Sequence, residues 1–287
     1  MSVKRIAIAI LSLGTIAALA VMMLPLLLQS LGLHPNYPSK SFDLTGQTAL
    51  IITTSHGVLN PPGETDGEPT GVFSSEMTIP YYEFIDAGMT VDIASIQGGP
   101  VPIDPSSFRP AIKTPSDSRF LADPVFQDKV AQSLPIEAIN IADYDLFFIA
   151  GGWGAAYDLG DSPALGELIS QAYQAEHTPL FGAVCHGPLG FIQARAADGS
   201  ALLKGRRLTG VTNKQVEELG IVMTPRHPET ELKRVGARYE SRTAFRDIFA
   251  NHVVIDDEQR FVTGQNQNAG HETAQKLMAI LEARTGE

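Results

Sequence analysis

The stretch "PLFGAVCHGPLGF", residues Pro179–Phe191, contains the only cysteine of the 287-residue chain, Cys185. A short apolar run leads up to this cysteine, and small residues lie on both sides of it. Such a run predicts a buried strand of a parallel sheet, and the glycines leave room for a sharp turn into a helix. This is the geometry of a nucleophile elbow, which places the side chain at the carboxyl edge of the sheet.

Two interpretations of Cys185 are open, because a lone cysteine is usually an inert core residue. A single cysteine excludes an intrachain disulfide and a thiolate metal cage. The helix expected over Pro188–Ala197 would favour the thiolate through the free N–H groups and dipole of its N-terminus. The position therefore favours a reactive nucleophile over a core thiol.

Three further apolar runs predict buried strands, at Thr48–Ser55, Thr90–Ser95 and Asp145–Gly152. Helical patterns lie between them at Glu76–Ala87 and Leu165–Gln174. Strands that alternate with helices predict an α/β fold, a flavodoxin-like sandwich with a mainly parallel sheet covered by helices on both faces. The elbow would follow a central strand of this sheet.

The rest of the chain adds a hairpin over His252–Gln265 and a closing amphipathic helix over His271–Ala283. Two long Pro/Gly-rich segments, Val58–Gly71 and Gln97–Phe120, interrupt the α/β pattern. Loops of this length are often functional surfaces. We expect one globular domain over residues 41–287.

The N-terminus predicts a separate unit, because no charged residue lies between Ile6 and Leu33. Roughly 20 apolar residues span a bilayer, so residues 1–40 are expected to form a signal-anchor transmembrane helix and a short linker. Lys4 and Arg5 precede the run and predict an N-terminus inside and a domain outside the cytoplasm. The alternative is a secreted protein after signal cleavage.

Charge and histidine spacing limit the partners. The formal net charge of -11 argues against a nucleic-acid partner, because no basic stripe is present to bind phosphates. None of the seven histidines shows a spacing typical of a zinc site, so no catalytic metal is expected. His56, with Glu64 or Asp66, could form at most a fortuitous metal site.

The glycine turn "AGGWG", Ala150–Gly154, follows another predicted strand. Gly151 and Gly152 would let backbone N–H groups approach an oxyanion formed when a thiolate attacks a carbonyl. An ordinary strand-to-helix turn explains the same glycines equally well.

Three stretches together resemble the PfpI-type branch of the class I glutamine amidotransferase-like superfamily, and within it the heat-shock chaperone and glyoxalase III subgroup, relatives of the parkinsonism-associated deglycase. They are "GAVCHGP" (182–188), "FFIAGGWGAAYDL" (147–159) and "GVFSSEMTIPYYEFIDAGMTVDIASIQGGPVPIDPSS" (71–107). The resemblance runs from about Thr48 to Met278 in the family's order and spacing.

The resemblance implies that Cys185 is the nucleophile and that Glu76 lies beside its sulfur. A carboxyl held there in a partly dry site has a raised pKa and can exchange a proton with a substrate. His186 belongs to the site in this family, and its backbone N–H is an oxyanion donor. Gly151, Gly152 and Trp153 would complete the oxyanion and substrate site. Many relatives have a histidine at the position of Trp153, so we expect an altered choice of substrate.

The third member of a Cys-His-acid triad is open. Where some relatives carry an acid, this chain has Asn213, with Glu217 one turn on. Asn213 could orient an imidazole by hydrogen bonding, but it cannot stabilise an imidazolium as a carboxylate does. The string His227-Pro228-Glu229 completes the triad in true glutamine amidotransferases. It follows the cysteine too closely for that arrangement, so a glutamine amidotransferase is the less favoured alternative and Pro228 is expected to begin a helix.

The resemblance implies a cofactor-free enzyme that converts a small α-oxoaldehyde such as methylglyoxal to D-lactate without glutathione, through a hemithioacetal on Cys185 and a proton shuttle at Glu76. The same cysteine would serve a PfpI-type peptidase, amidase or deglycase. Two hypotheses from other classes are a membrane-tethered holding chaperone for unfolded protein and a redox sensor that uses oxidation of Cys185. Relatives are often dimers, so a homodimer is also considered.

Overall fold

The computed structural model describes residues 11–16, 18–20, 23, 27, 30, 37–110 and 112–285. Within this part of the chain the strands are β1 (Thr48–Thr53), β2 (Val58–Leu59), β3 (Glu68–Pro69), β4 (Thr90–Ser95), β5 (Leu134–Pro135), β6 (Leu146–Ile149), β7 (Leu180–Val184), β8 (Arg207–Leu208), β9 (Arg238–Tyr239), β10 (Val253–Ile255) and β11 (Phe261–Gly264). From residue 37 onward the α-helices are α1 (Ser74–Asp86), α2 (Pro115–Phe120), α3 (Pro124–Ala131), α4 (Ala155–Asp158), α5 (Pro163–Gln174), α6 (Asn213–Leu219), α7 (Pro228–Arg234) and α8 (Gly270–Thr285).

A seven-stranded sheet has the order β10-β11-β7-β6-β1-β4-β5. Every neighbouring pair in it is parallel except β10 and β11, which form the predicted hairpin. The strands β2 and β3 form a small antiparallel ribbon, and β8 and β9 a small parallel one. The prediction of an α/β fold with a mainly parallel sheet is confirmed, and β7, which carries the elbow, lies inside the sheet.

Side chains of the central strands alternate between two apolar layers. In β1, Ala49 and Ile51 pack into the layer that contains α1 and α8, whereas Leu50 and Ile52 pack into the layer that contains α5. Both layers exclude water, so these strands are apolar at every position rather than at every second one. This is the reason that the strands could be recognised as continuous apolar runs.

The segment after the elbow differs from its prediction. The helix expected over Pro188–Ala197 is a 3-10 helix of five residues, Gly187–Phe191. This short helix lies so close to the sheet that a Cβ atom on Gly187 would be 2.1 Å from the carbonyl oxygen of Ile149. The long loop expected over Gln97–Phe120 also contains more structure than predicted, since it includes α2 and a 3-10 helix over Pro105–Phe108.

The predicted transmembrane helix over Ile6–Leu33 falls largely outside the described residues. Among those that are described, no helix is long and apolar enough to cross a membrane. The predicted localisation, a single-pass membrane protein with its domain outside the cytoplasm, is thereby contradicted, and the membrane partner is unsupported.

The chain from Tyr37 is held against α1 and α8 by a histidine. Nδ1 of His271 lies 2.7 Å from the Glu83 carboxylate, and Nε2 lies 3.1 Å from the carbonyl oxygen of Tyr37. The hydroxyl of Ser39 also lies 3.1 Å from Nε2, so three partners from two segments of the chain meet at this ring. Glu83 raises the pKa of His271, and Gln275 accepts a further hydrogen bond from the N–H of Lys40.

We expect Gly187→Ala to lower the free energy of unfolding by about 2–3 kcal/mol, because the added methyl group would collide with the backbone of β6. Gly270→Ala is the matched control, since its Cβ would have its nearest neighbour at 3.8 Å. The control should leave stability unchanged or raise it by up to about 1 kcal/mol. Urea unfolding of both variants measures the difference, and equal midpoints would contradict the close packing of the elbow.

Candidate active site

Cys185 adopts a left-handed backbone conformation, with φ of 57°. Its N–H donates to the carbonyl of Gly264 at 3.0 Å, and its own carbonyl accepts from the N–H of Val211 at 3.0 Å. Residues other than glycine adopt this conformation rarely, and where they do it is often at a functional site. The bend ends β7 and leaves the side chain only 7% exposed, at the carboxyl edge of the sheet.

Glu76 lies beside the sulfur, in the first turn of α1, and is 1% exposed. Its Oε2 accepts a hydrogen bond from the N–H of Gly151 at 3.0 Å, and its carboxyl is hydrogen-bonded with the thiol of Cys185. The pKa of Glu76 is raised to about 8, chiefly because burial disfavours the ionised form, while the two hydrogen bonds oppose the rise. At neutral pH this acid therefore retains its proton for most of the time.

The thiol of Cys185 is also predominantly protonated. Burial raises its pKa well above the usual value, and the charge of Glu76 raises it further, whereas the N–H groups of Gly152 and His186 favour the thiolate. The expectation of a thiolate stabilised by a helix N-terminus is wrong for the free protein. The 3-10 helix after the elbow is short, and the dry surroundings of the sulfur disfavour a charge.

His186 is buried and neutral. Its Nδ1 lies 3.5 Å from the sulfur of Cys185, and its ring lies against that of Trp153 with 5.0 Å between the centroids. Burial, together with the charge that His227 can carry, lowers the pKa of His186 to about 3. The imidazole is therefore a poor base at neutral pH, and it cannot act as an imidazolium there.

The two candidates for a third triad member do not contact His186. Asn213 donates from its side chain to Thr230 at 3.0 Å, and its backbone N–H donates to Glu229 at 2.8 Å. Glu217 is exposed on α6. In the part of the chain that the structure describes, Nε2 of His186 has no hydrogen-bond partner, and no carboxylate completes a triad.

The glycine turn brings two different N–H groups into the site. Gly151 donates to Glu76, while Gly152 donates toward the sulfur of Cys185 together with His186. A Cβ on Gly151 would lie 2.5 Å from Oε2 of Glu76, and one on Gly152 would lie 2.3 Å from the backbone nitrogen of Phe73. Both glycines are therefore required by close contacts. The N–H groups of Gly152 and His186 are the candidate oxyanion donors.

These residues open into a cavity of about 1460 Å³. Val211 and Val216 pack with Cys185 and Trp153 into a small apolar cluster. The sequence did not predict that these two valines line the site, because they belong to a later segment of the chain that packs over the elbow. Other cavity residues come from α1, α8 and the segments after the 3-10 helix Pro105–Phe108, after α6 and before β10: Ile79, Glu83, Arg109, Lys113, Ile221, Arg246, Phe249 and His271.

His56, the histidine considered for a fortuitous metal site, packs against other groups of the protein. His56 stacks on Tyr157 with 4.0 Å between the ring centroids, and its Nε2 contacts the carbonyl of Val58 and Oδ1 of Asn60. Within the described ranges no group of three or more His, Cys, Asp or Glu side chains could hold a metal ion.

Fold and site together define an α/β protein with a buried nucleophile-elbow cysteine and an adjacent acid. The chain belongs to the DJ-1/PfpI family, whose sequence profile matches residues 69–280. The resemblance seen in the three sequence motifs is thereby confirmed at the level of the family.

Its relatives include proteins with assigned activities. The chain is 28% identical to the glutathione-independent glyoxalase HSP31 of Saccharomyces cerevisiae, over 81% of this chain and 97% of the relative. The crystal structure of glyoxalase III from Candida albicans has a TM-score of 0.72 and 25% identity, covering 81% of this chain and 96% of that one. The Rapid Encystment Protein of Francisella tularensis has a TM-score of 0.73 and 29% identity, with coverage of 82% and 99%.

We expect Glu76→Gln to stabilise the protein, and to do so increasingly as pH rises. Between pH of about 4.5 and 8 the folded state binds more protons at residue 76 than the unfolded state, so wild-type stability falls with rising pH over this range. The glutamine cannot ionise and removes this loss. The gain should be on the order of 4–5 kcal/mol larger at pH 8.5 than at pH 4, because the pKa is raised from 4.5 to about 8.

Urea unfolding at the two pH values measures this gain. The exposed acid Glu64 supplies the control, since Glu64→Gln should show no comparable dependence on pH. An equal effect of the two substitutions at both pH values would mean that Glu76 is not held protonated by burial.

Proposed function

We propose that this protein is a glutathione-independent glyoxalase of the glyoxalase III type, acting on small α-oxoaldehydes such as methylglyoxal. The observation that carries the proposal is the hydrogen-bonded pair of buried groups, the thiol of Cys185 and the carboxyl of Glu76, which share one cavity. The named activities of the yeast and Candida relatives support an enzyme of this type. They do not favour a chaperone, a peptidase or an amidotransferase.

The first step is addition of the sulfur to the aldehyde carbon. Glu76, in the ionised minority of the pair, accepts the thiol proton as the S–C bond forms, and the aldehyde oxygen becomes an alkoxide. The N–H groups of Gly152 and His186 face the sulfur and are suited to stabilise this oxygen. Return of the proton to the alkoxide gives a neutral hemithioacetal and restores the carboxylate.

The second step moves a proton between the two substrate carbons. The Glu76 carboxylate removes the proton from the carbon bonded to sulfur, forming an enediolate. The hydroxyl proton of that carbon passes to the oxygen of the neighbouring carbon, and Glu76 returns its proton to the neighbouring carbon itself. With a pKa near 8 against one near 3, Glu76 is about five orders of magnitude more basic than His186. The carboxylate, rather than the imidazole, is therefore the base.

The last step releases the product. Proton return leaves a thioester of lactate on Cys185, and water attacks its carbonyl to give lactate and the free thiol. No electron donor or acceptor is needed, because oxidation of one carbon balances reduction of the other. The chemistry uses only groups of this chain and water.

We expect Cys185→Ser to abolish the conversion of methylglyoxal to lactate, because it removes the nucleophile. Glu76→Gln should lower kcat by at least about a hundredfold, because it removes the base. Consumption of methylglyoxal without glutathione, together with lactate formation, is the assay. Glu64→Gln is the matched control and should retain wild-type rates. Wild-type rates in both site variants would overturn the proposal.

The pH profile gives a separate test. Because ionised Glu76 is the base, kcat/KM should rise about tenfold per pH unit below about 8 and then level off. The apparent pKa of this profile belongs to the Glu76–Cys185 pair, because the titrations of the two groups are coupled. A rate independent of pH between 6 and 8 would exclude Glu76 as the base.

A further inference from the structure

Two imidazole nitrogens are buried behind the elbow without a hydrogen-bond partner among the described residues, Nε2 of His186 and Nε2 of His227. Buried polar atoms of folded proteins are almost always hydrogen-bonded to protein or to ordered water. Neither nitrogen takes part in the chemistry proposed above. Two unpartnered nitrogens of the same kind, one of them on the ring that contacts the nucleophile, therefore require an explanation.

The two histidines are chain neighbours of residues that lie close together, since His186 follows Cys185 and His227 precedes Pro228. His227 directly precedes α7, and the start of that helix packs against the elbow. A Cβ atom on Gly210 would lie 3.0 Å from Cβ of Pro228 and 3.1 Å from the carbonyl oxygen of Cys185, so the start of α7 and the elbow lie close together on either side of this glycine. The rings are also close enough for the charge of one to affect the pKa of the other.

We propose that His227 is a positioning residue of the active site, whose Nε2–H donates through one interior water to Nε2 of His186. A neutral imidazole carries a single proton, on one nitrogen or the other. If Nε2 of His186 accepts a hydrogen bond, that proton lies on Nδ1. His227 thus selects the tautomer of His186.

The selected tautomer directs a donor at the nucleophile. Nδ1 of His186 is 3.5 Å from the sulfur, so its N–H donates to Cys185 and stabilises the negative charge that sulfur carries as it attacks or leaves. The neutral ring is then an electrophilic partner of the sulfur, in keeping with its weak basicity. The opposite tautomer would present a lone pair to the sulfur and would oppose this charge.

The experiment is nitrogen-15 NMR of the histidine rings in the full-length protein, in which the shifts of Nδ1 and Nε2 report which one carries the proton. In the wild type we expect the proton of His186 on Nδ1. His227→Phe removes the donor and should move the proton wholly or partly to Nε2. His227→Gln retains a side-chain donor of similar reach and should restore the Nδ1 tautomer.

The control is His177→Phe, the same change at an exposed histidine near the opposite end of β7, where Nε2 contacts the carbonyl of Tyr144. It should leave the tautomer of His186 unchanged. A wild-type proton on Nε2 of His186 overturns the proposal. So does an unchanged tautomer in His227→Phe, provided that the variant has a wild-type fold by circular dichroism.

A kinetic readout rests on the proposed function. His227→Phe should lower kcat for methylglyoxal about tenfold with KM little changed, and His227→Gln should recover most of the loss. The two proposals fail separately. An inactive wild-type protein would refute the glyoxalase function and leave the NMR result standing, whereas an active His227→Phe enzyme with wild-type kcat would refute the positioning role alone.

Discussion

The left-handed backbone at Cys185 is the constraint on which the rest of the site depends. It is held by main-chain hydrogen bonds to Gly264 and Val211 on either side of the residue. The bend turns the sulfur out of the sheet and toward α1, where Glu76 is fixed by the N–H of Gly151. An extended residue at the same position would direct its side chain into one of the apolar layers, and the thiol would have no acid beside it.

Burial has opposite effects on the two titratable neighbours of the sulfur, and together these effects assign their roles. Removal from water disfavours whichever form is charged, so it raises the pKa of Glu76 and lowers that of His186. The acid becomes basic enough to move protons near neutrality, while the imidazole becomes too weak a base to take them. The same dry surroundings keep the resting thiol protonated, so the sulfur becomes reactive only by giving its proton to Glu76.

Much of the fold could be predicted from the sequence because its signals are local. Apolar runs such as Thr90–Ser95 coincide with strands, since both faces of the sheet are covered. The elbow was visible in the small residues around Cys185, whereas Glu76 could be placed only through the family resemblance. The surroundings of His186 could not be predicted, because they depend on how α7 packs against the elbow. The expectation of a thiolate at Cys185 was wrong for a related reason. Burial raises the pKa of the thiol more than the short helix lowers it, and the burial of one side chain depends on the whole fold.

The way in which the elbow is held has an evolutionary consequence. The backbone hydrogen bonds of residue 185 do not involve the sulfur. A descendant gene could therefore lose the thiol and still encode the same fold. Asparagine, aspartate or glycine would be the readiest replacements, because they tolerate a left-handed backbone best. After a gene duplication, one copy could in this way lose its catalytic activity and keep the cavity as a binding site for ligands. The left-handed backbone at residue 185 would still identify its enzyme ancestor.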